Sequence, residues 1–268
     1  MDNQVLKKLQ MTEIEILCVI DQFCIENDIP YTLAWGSAIG AVRHKGFIPW
    51  DDDVDICMDR YDYERFIDLW RAHPQDGYYL QDTREDTNST INHSKVMKEN
   101  TFYGSQKAYE AGEKQGVFVD IFPWDRVPDR KYKILKTKLW AAVRMVYTRG
   151  YPFTSGSRFL SVLSKCMLML PAKLKASILR KANRQVVRYQ NLTDHYHYMD
   201  FSCPEMLNKR YQAEVMKEFT RVPFETAAFS LTKAYDEMLT VTYGDYMKLP
   251  PEEERVCKHM QEILDFGD

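Results

Sequence analysis

Residues 31–59 read YTLAWGSAIGAVRHKGFIPWDDDVDICMD, and the placing of a glycine-serine turn ahead of an acidic strand decides the fold. Val54, Ile56 and Met58 alternate with Asp53, Asp55 and Cys57. That period of two predicts a strand with one apolar and one acidic face. If the extended backbone begins early, Asp51 shares the acidic face with Asp53 and Asp55. Neighbouring carboxylates on one face lie ~6–7 Å apart at Cα. They repel, and one holds its proton more tightly unless a cation sits between them. An all-oxygen set of this kind suits Mg²⁺, with Mn²⁺ as the substitute. A bare run of three aspartates is ordinarily a solvated turn. Here the run continues into an alternating strand, so Asp53 and Asp55 are the candidate catalytic metal ligands, with Asp51 and Asp52 behind them.

Upstream, residues 31–35 form a short apolar run that predicts a buried strand ending at Gly36. Residues 37–44 then predict a helix with Ser37 as its N-cap. Glycine admits a phosphate close to the backbone, and helix N-terminal amides favour an anion. Gly36 and Ser37 are therefore candidate phosphate-binding residues. Arg43 and Lys45 lie just before the acids and are placed to neutralise phosphoryl charge. Lys95, on a neighbouring predicted strand, has the same role. Residues 116–122, GVFVDIF, place Asp120 alone in an apolar strand, where burial is costly without a partner. Asp120 is a metal ligand, the general base, or the partner of a Lys or Arg. His259, after Pro250-Pro251 and three glutamates, is a further candidate. Trp35, Trp50, Tyr103 and Trp124 either cage a quaternary ammonium or fill the core.

Around this stretch the pattern predicts helices at 12–27, 61–73, 131–149 and 230–243. One or two basic helices, broken near Pro171, are predicted at 158–190. Strands are predicted at 78–82, 95–98 and 117–122, and a strand or hairpin at 214–222. The order predicts an α+β protein in three parts: a catalytic core over 1–128, a basic helical insertion over 129–192, and a short mixed part over 193–268 packing back on the core.

Charge is segregated. Residues 126–190 carry 16 Lys or Arg and one acid, a net +15, within a chain of net charge −3. Such a face predicts peripheral contact with an anionic membrane or a solvated scaffold. Nucleic acid is not expected, because no nucleic-acid-binding motif accompanies the charge. No apolar run reaches the ~20 residues that cross a bilayer. The six cysteines lack zinc-ligand spacing, and residues 1–10 lack a signal-peptide core. Free thiols and a cytoplasmic setting, at most at the inner membrane face, are the expectation.

The stretch from Gly36-Ser37 through Asp53-Val54-Asp55, followed by Asp120 on a later strand, resembles the nucleotidyltransferase superfamily. More closely, GAVRHKGFIPWDDDVDICM resembles the LicD family, which includes fukutin-type proteins. Residues 119–123 (VDIFP) and 243–251 (YGDYMKLPP) extend the resemblance over about 18–259. The resemblance implies a nucleotidyltransferase-fold mixed sheet flanked by helices. It implies metal-dependent transfer of a phospho-alcohol such as phosphocholine from a CDP-alcohol to a sugar hydroxyl of a cell-surface glycan, with release of CMP. The acceptor it implies is a glycan, lipid-linked or free. The alternatives are nucleoside monophosphate transfer with release of pyrophosphate, phosphonate transfer from a CMP-linked donor, and a non-catalytic glycan or nucleotide binder.

Overall fold

The computed structural model describes residues 2–82, 91–110, 112–153, 158–257 and 261–267. His259 lies outside them. The described chain is α+β and divides into two units. The first holds residues 1–81, 94–122 and 214–268, the second residues 82–93 and 123–213. The expected insertion thus falls in the second unit together with residues 193–213, and residues 214–268 belong to the unit that carries the acids.

The first unit opens with helix α1, Asn3–Glu26. It begins nine residues earlier than the sequence pattern predicts. Asp2 caps it, its Oδ1 accepting the Gln4 N–H at 3.1 Å, and Leu6 and Leu9 extend the buried stripe through Ile16, Leu17, Ile20 and Phe23. Each such side chain contributes about 1.5–3 kcal/mol by leaving water. Strand β1 is Thr32–Leu33 and helix α2 is Trp35–His44. Ala34, not Ser37, is the N-cap, since the turn is already made by Trp35 at φ +40°. Strand β2, Asp55–Asp59, runs directly into helix α3, Arg60–Ala72. Asp59 caps α3 by accepting the Tyr61 N–H at 2.8 Å. Tyr63, Phe66, Ile67 and Trp70 form its buried face at i, i+3, i+4 and i+7.

Strands β3 (Tyr78–Gln81), β4 (Ser94–Lys98) and β5 (Phe102–Gly104) follow, then helix α4 (Gln106–Glu110). Strand β6, Phe118–Pro128, completes the sheet order β1-β2-β6-β4-β3. From residue 123 onward β6 lies in the second unit. There α5 (Lys131–Arg149), α6 (Arg158–Leu168) and α7 (Ala172–Val186) precede β7 (Tyr196–Asp200) and β8 (Tyr211–Gln212). Strand β7 pairs antiparallel with residues 124–128 of β6, and β8 pairs with β7. The core of this unit includes Val127, Ala141, Val186 and Phe201.

The chain then returns to the first unit as a hairpin of β9 (Phe219–Phe224) and β10 (Ala227–Thr232). Pairing with β9 takes residues 230–232, expected as helix, into strand. Helix α8 starts only at Tyr235 and ends at Tyr243, and β11 (Ile263–Asp265) pairs with β5. Among the described residues no helix is long and apolar enough to cross a membrane. The six cysteines are all described, and none forms a disulfide.

Candidate functional site

The first unit contains a cavity of 660 Å³, with Gly36, Asp51, Asp53 and Asp55 on one wall. The wall opposite them in sequence comes from the tail, residues 243–256, including Tyr243, Asp245, Tyr246 and Lys248. Asp51 and Asp53 lie ahead of β2, which begins at Asp55, and all three line the cavity. Asp52, of the other parity, is fully buried and accepts the Tyr103 hydroxyl at 3.3 Å. Burial first and Asp52 second push the Tyr103 phenol well above its usual range.

Three features hold the acids in place. Gly36 lets Asp51 approach, since a Cβ there would sit 2.5 Å from Asp51 Oδ2. The Gln10 side-chain amide donates to the Asp51 carbonyl at 2.9 Å. Ser37, buried in the first turn of α2, accepts the Asp55 N–H at 2.9 Å. The loop leading into the acids is clamped by Glu225 at the hairpin turn. Glu225 accepts the Phe47 N–H at 3.2 Å and donates its own N–H to the Lys45 carbonyl at 2.9 Å.

Asp51, Asp52 and Asp53 each offer a carboxylate oxygen, all within 4.8 Å of one another. Asp55 holds its proton well above the usual carboxylate range. Burial is the main cause, then Asp53, Asp120 and Asp51, with Lys95 opposing. Asp120 joins through the backbone, its N–H donating to the Val54 carbonyl at 3.0 Å. Its carboxylate pairs with Lys95 at 2.8 Å, and the Lys95 ammonium also sits 3.3 Å from the Phe118 ring centroid. The ion-pair reading of Asp120 is thus realised in its geometry, while Asp120 still adds to the field at Asp55. Concentrated negative charge, crowded oxygens and a raised carboxyl pKa together fit a hard divalent cation.

Arg43 lines the cavity, and its Nη1 donates to the Tyr246 carbonyl at 2.8 Å. Its Nε donates to His44 Nε2 at 2.9 Å, so that ring accepts as a neutral imidazole. Burial first and the guanidinium second lower the His44 pKa. Lys45, at φ +59°, ends α2 with an exposed side chain and is not among the cavity-lining residues. Of the four aromatics, Trp35 and Trp50 line the cavity. Tyr103 and Trp124 are core, the latter stacked on Tyr211 at 4.4 Å.

Sequence reasoning missed Glu13. It is 1% exposed, and its Oε2 has no hydrogen-bond partner. Burial first, then Asp53, Asp52, Asp51 and Asp120, raise its pKa well above the usual range. An acid within the apolar stripe of α1, between Leu9 and Ile16, was the available signal. The tail residues that line the same cavity were also missed as site residues, because nothing in their local pattern links them to residues 51–55.

Comparison with known proteins adds three findings. The model of the family described as "LicD/FKTN/FKRP, nucleotidyltransferase domain" matches residues 28–153. A lipopolysaccharide cholinephosphotransferase LicD of Haemophilus influenzae is 32% identical over 275 aligned positions, covering 96% of this chain and 98% of that protein. An uncharacterized protein RT0683 of Rickettsia typhi is 39% identical over 56 positions, 21% of this chain and 18% of that protein.

Proposed function

The chain belongs to the LicD family and is a transferase, and from that premise we propose that it moves phosphocholine from CDP-choline to a sugar hydroxyl of a cell-surface glycan. The observation that carries this reading is the cavity in which Asp51, Asp53 and Asp55 meet an aromatic-bearing tail. The near full-length similarity to a protein named as a cholinephosphotransferase supports the choice of group.

Asp53 and Asp55 would hold a divalent cation, with Asp120 nearby and its charge offset by Lys95. When bound, Mg²⁺ or Mn²⁺ supplies a counter-charge for the phosphoryl oxygens. Gly36 lets the Asp51 carboxylate lie close against the start of α2, and Arg43 adds a cation at the cavity wall for the donor phosphates. The acceptor oxygen attacks the phosphorus that bears choline. The bond from that phosphorus to the oxygen shared with CMP breaks. The acceptor proton passes to a carboxylate of the cluster, and CMP leaves with the bridging oxygen. Trp50, Tyr243 and Tyr246 present aromatic surface in the same cavity, which suits a quaternary ammonium.

The test is a donor panel of CDP-choline, CDP-ethanolamine, CDP-ribitol, a CMP-phosphonate and CTP, with a glycan acceptor. CMP release that requires metal and acceptor and is fastest with CDP-choline is expected. Pyrophosphate release from CTP, or preference for the phosphonate, overturns the reading in favour of the corresponding alternative.

A further inference from the structure

We propose that helix α6 docks this protein on an anionic phospholipid bilayer, its apolar stripe lying in the headgroup boundary and the surrounding cations on lipid phosphates. The helix packs with its faces reversed. Phe159, Val162, Leu163 and Cys166, spaced i, i+3, i+4 and i+7, form one stripe, and all four are exposed. Phe159 is 72% exposed, and Met169 just beyond the helix is 84% exposed. The buried residue of α6 is Ser164. Its hydroxyl donates to the Ser161 carbonyl at 2.9 Å and accepts the Phe153 N–H at 3.1 Å. A helix serving only a protein core turns its apolar face inward.

The charge of the segment that carries the stripe selects the occupant. Residues 130–190 carry no Asp or Glu. Arg158 and Lys165 on α6 are exposed, as are Lys173, Arg180 and Arg184 on α7. Helix α7 buries Ala182 and Val186, and Val186 belongs to the core cluster, so the cations project from an anchored element. A second copy on this face would bring two strongly positive segments together. A bilayer of anionic lipids instead offers an apolar layer beneath a plane of negative charge. With 11 residues α6 is far too short to cross that layer, so it lies in its plane.

The inference is independent of the transfer chemistry. The full chain is co-sedimented with vesicles of phosphatidylglycerol and phosphatidylcholine, and with vesicles of phosphatidylcholine alone. Wild type is expected to sediment with the anionic vesicles at low salt and to be released as salt rises. F159D/L163D is expected to abolish binding at equal lipid, and K173E/R180E/R184E to weaken it by roughly 100-fold. Both variants should keep the wild-type melting temperature and CMP release from soluble donor in the presence of a soluble glycan acceptor. Wild type remaining in the supernatant with anionic vesicles at low salt overturns the proposal. So does unchanged binding by F159D/L163D, or a wild-type dimer that this variant converts to monomer, which would make a second copy the occupant.

Discussion

The Ser37 hydroxyl accepts the backbone N–H of Asp55 at 2.9 Å. With the Ala34 N–H donating to the Asp55 carbonyl at 3.0 Å, this bond joins the glycine-serine turn to the start of the acidic strand and positions Asp55. The Ser37 hydroxyl thereby positions the strand, while Gly36 beside it leaves space that the Asp51 carboxylate fills.

Ser37→Ala leaves the Asp55 N–H without that partner, at a cost of about 1–3 kcal/mol. A lower melting temperature and a several-fold fall in kcat are expected, while Ser37→Thr keeps most of both. Thermal unfolding beside steady-state assays checks this. An alanine variant equal to wild type in both would show that the bond is dispensable.

Asp53→Asn and Asp55→Asn should each reduce turnover at least ~100-fold, by loss of transition-state charge stabilisation through the cation. Folding should be unharmed. Removing a charge from crowded carboxylates relieves repulsion, so the metal-free melting temperature should hold or rise. Asp120→Asn should damage turnover as much as Asp53→Asn. If it lowers the melting temperature and spares turnover, Asp120 serves only as the ion-pair partner of Lys95. Retention of a tenth of wild-type rate by Asp53→Asn would refute its place in the metal site.

Gly36→Ala puts a methyl group where Asp51 Oδ2 now lies, 2.5 Å from the new Cβ. Asp51 must swing away, which rearranges the cavity wall that the proposed donor would meet. The expected result is a KM for donor raised about ten-fold or more, one lost charged contact being worth about 1.5–3 kcal/mol. An unchanged KM in a folded variant would mean that phosphate does not use this turn.

Asp200, in the second unit, supplies a pH prediction. Burial raises its pKa from 3.8 to about 6, opposed by hydrogen bonds from Ser202 and by Arg144. The native state therefore binds the proton more tightly than the unfolded chain. The contribution of Asp200 to stability is greatest below pH 3.8, declines as pH rises to about 6, and is level above. Asp200→Asn should remove that slope and stabilise the protein at pH 7.5 by about 2–3 kcal/mol. Urea melts at several pH values measure it, and a variant with the wild-type slope would contradict the assignment.

The acids were legible because their message is local. Alternation singled out Asp53 and Asp55, and both line the cavity; Asp51 was expected there only if the strand began early, and it lines the cavity although β2 begins at Asp55. The helices at 60–72 and 131–149 were legible for the same reason, each apolar face repeating at the helical period. What failed were boundaries decided by pairing. Residues 227–232 join β9 because a strand partner lay ready, and no local pattern announces a partner.

Only the tertiary structure decided who stands around those acids. Arg43 meets Tyr246 across 203 positions of sequence, and Glu13 of α1 lies buried within the field of the aspartates. Asp52 turns to Tyr103 and Asp120 to Lys95. Periodicity encodes the direction of a side chain relative to its own backbone, and that much the sequence determined. Which distant segment fills the space it points into depends on how the whole chain buries its apolar surface, a global balance that no short stretch contains.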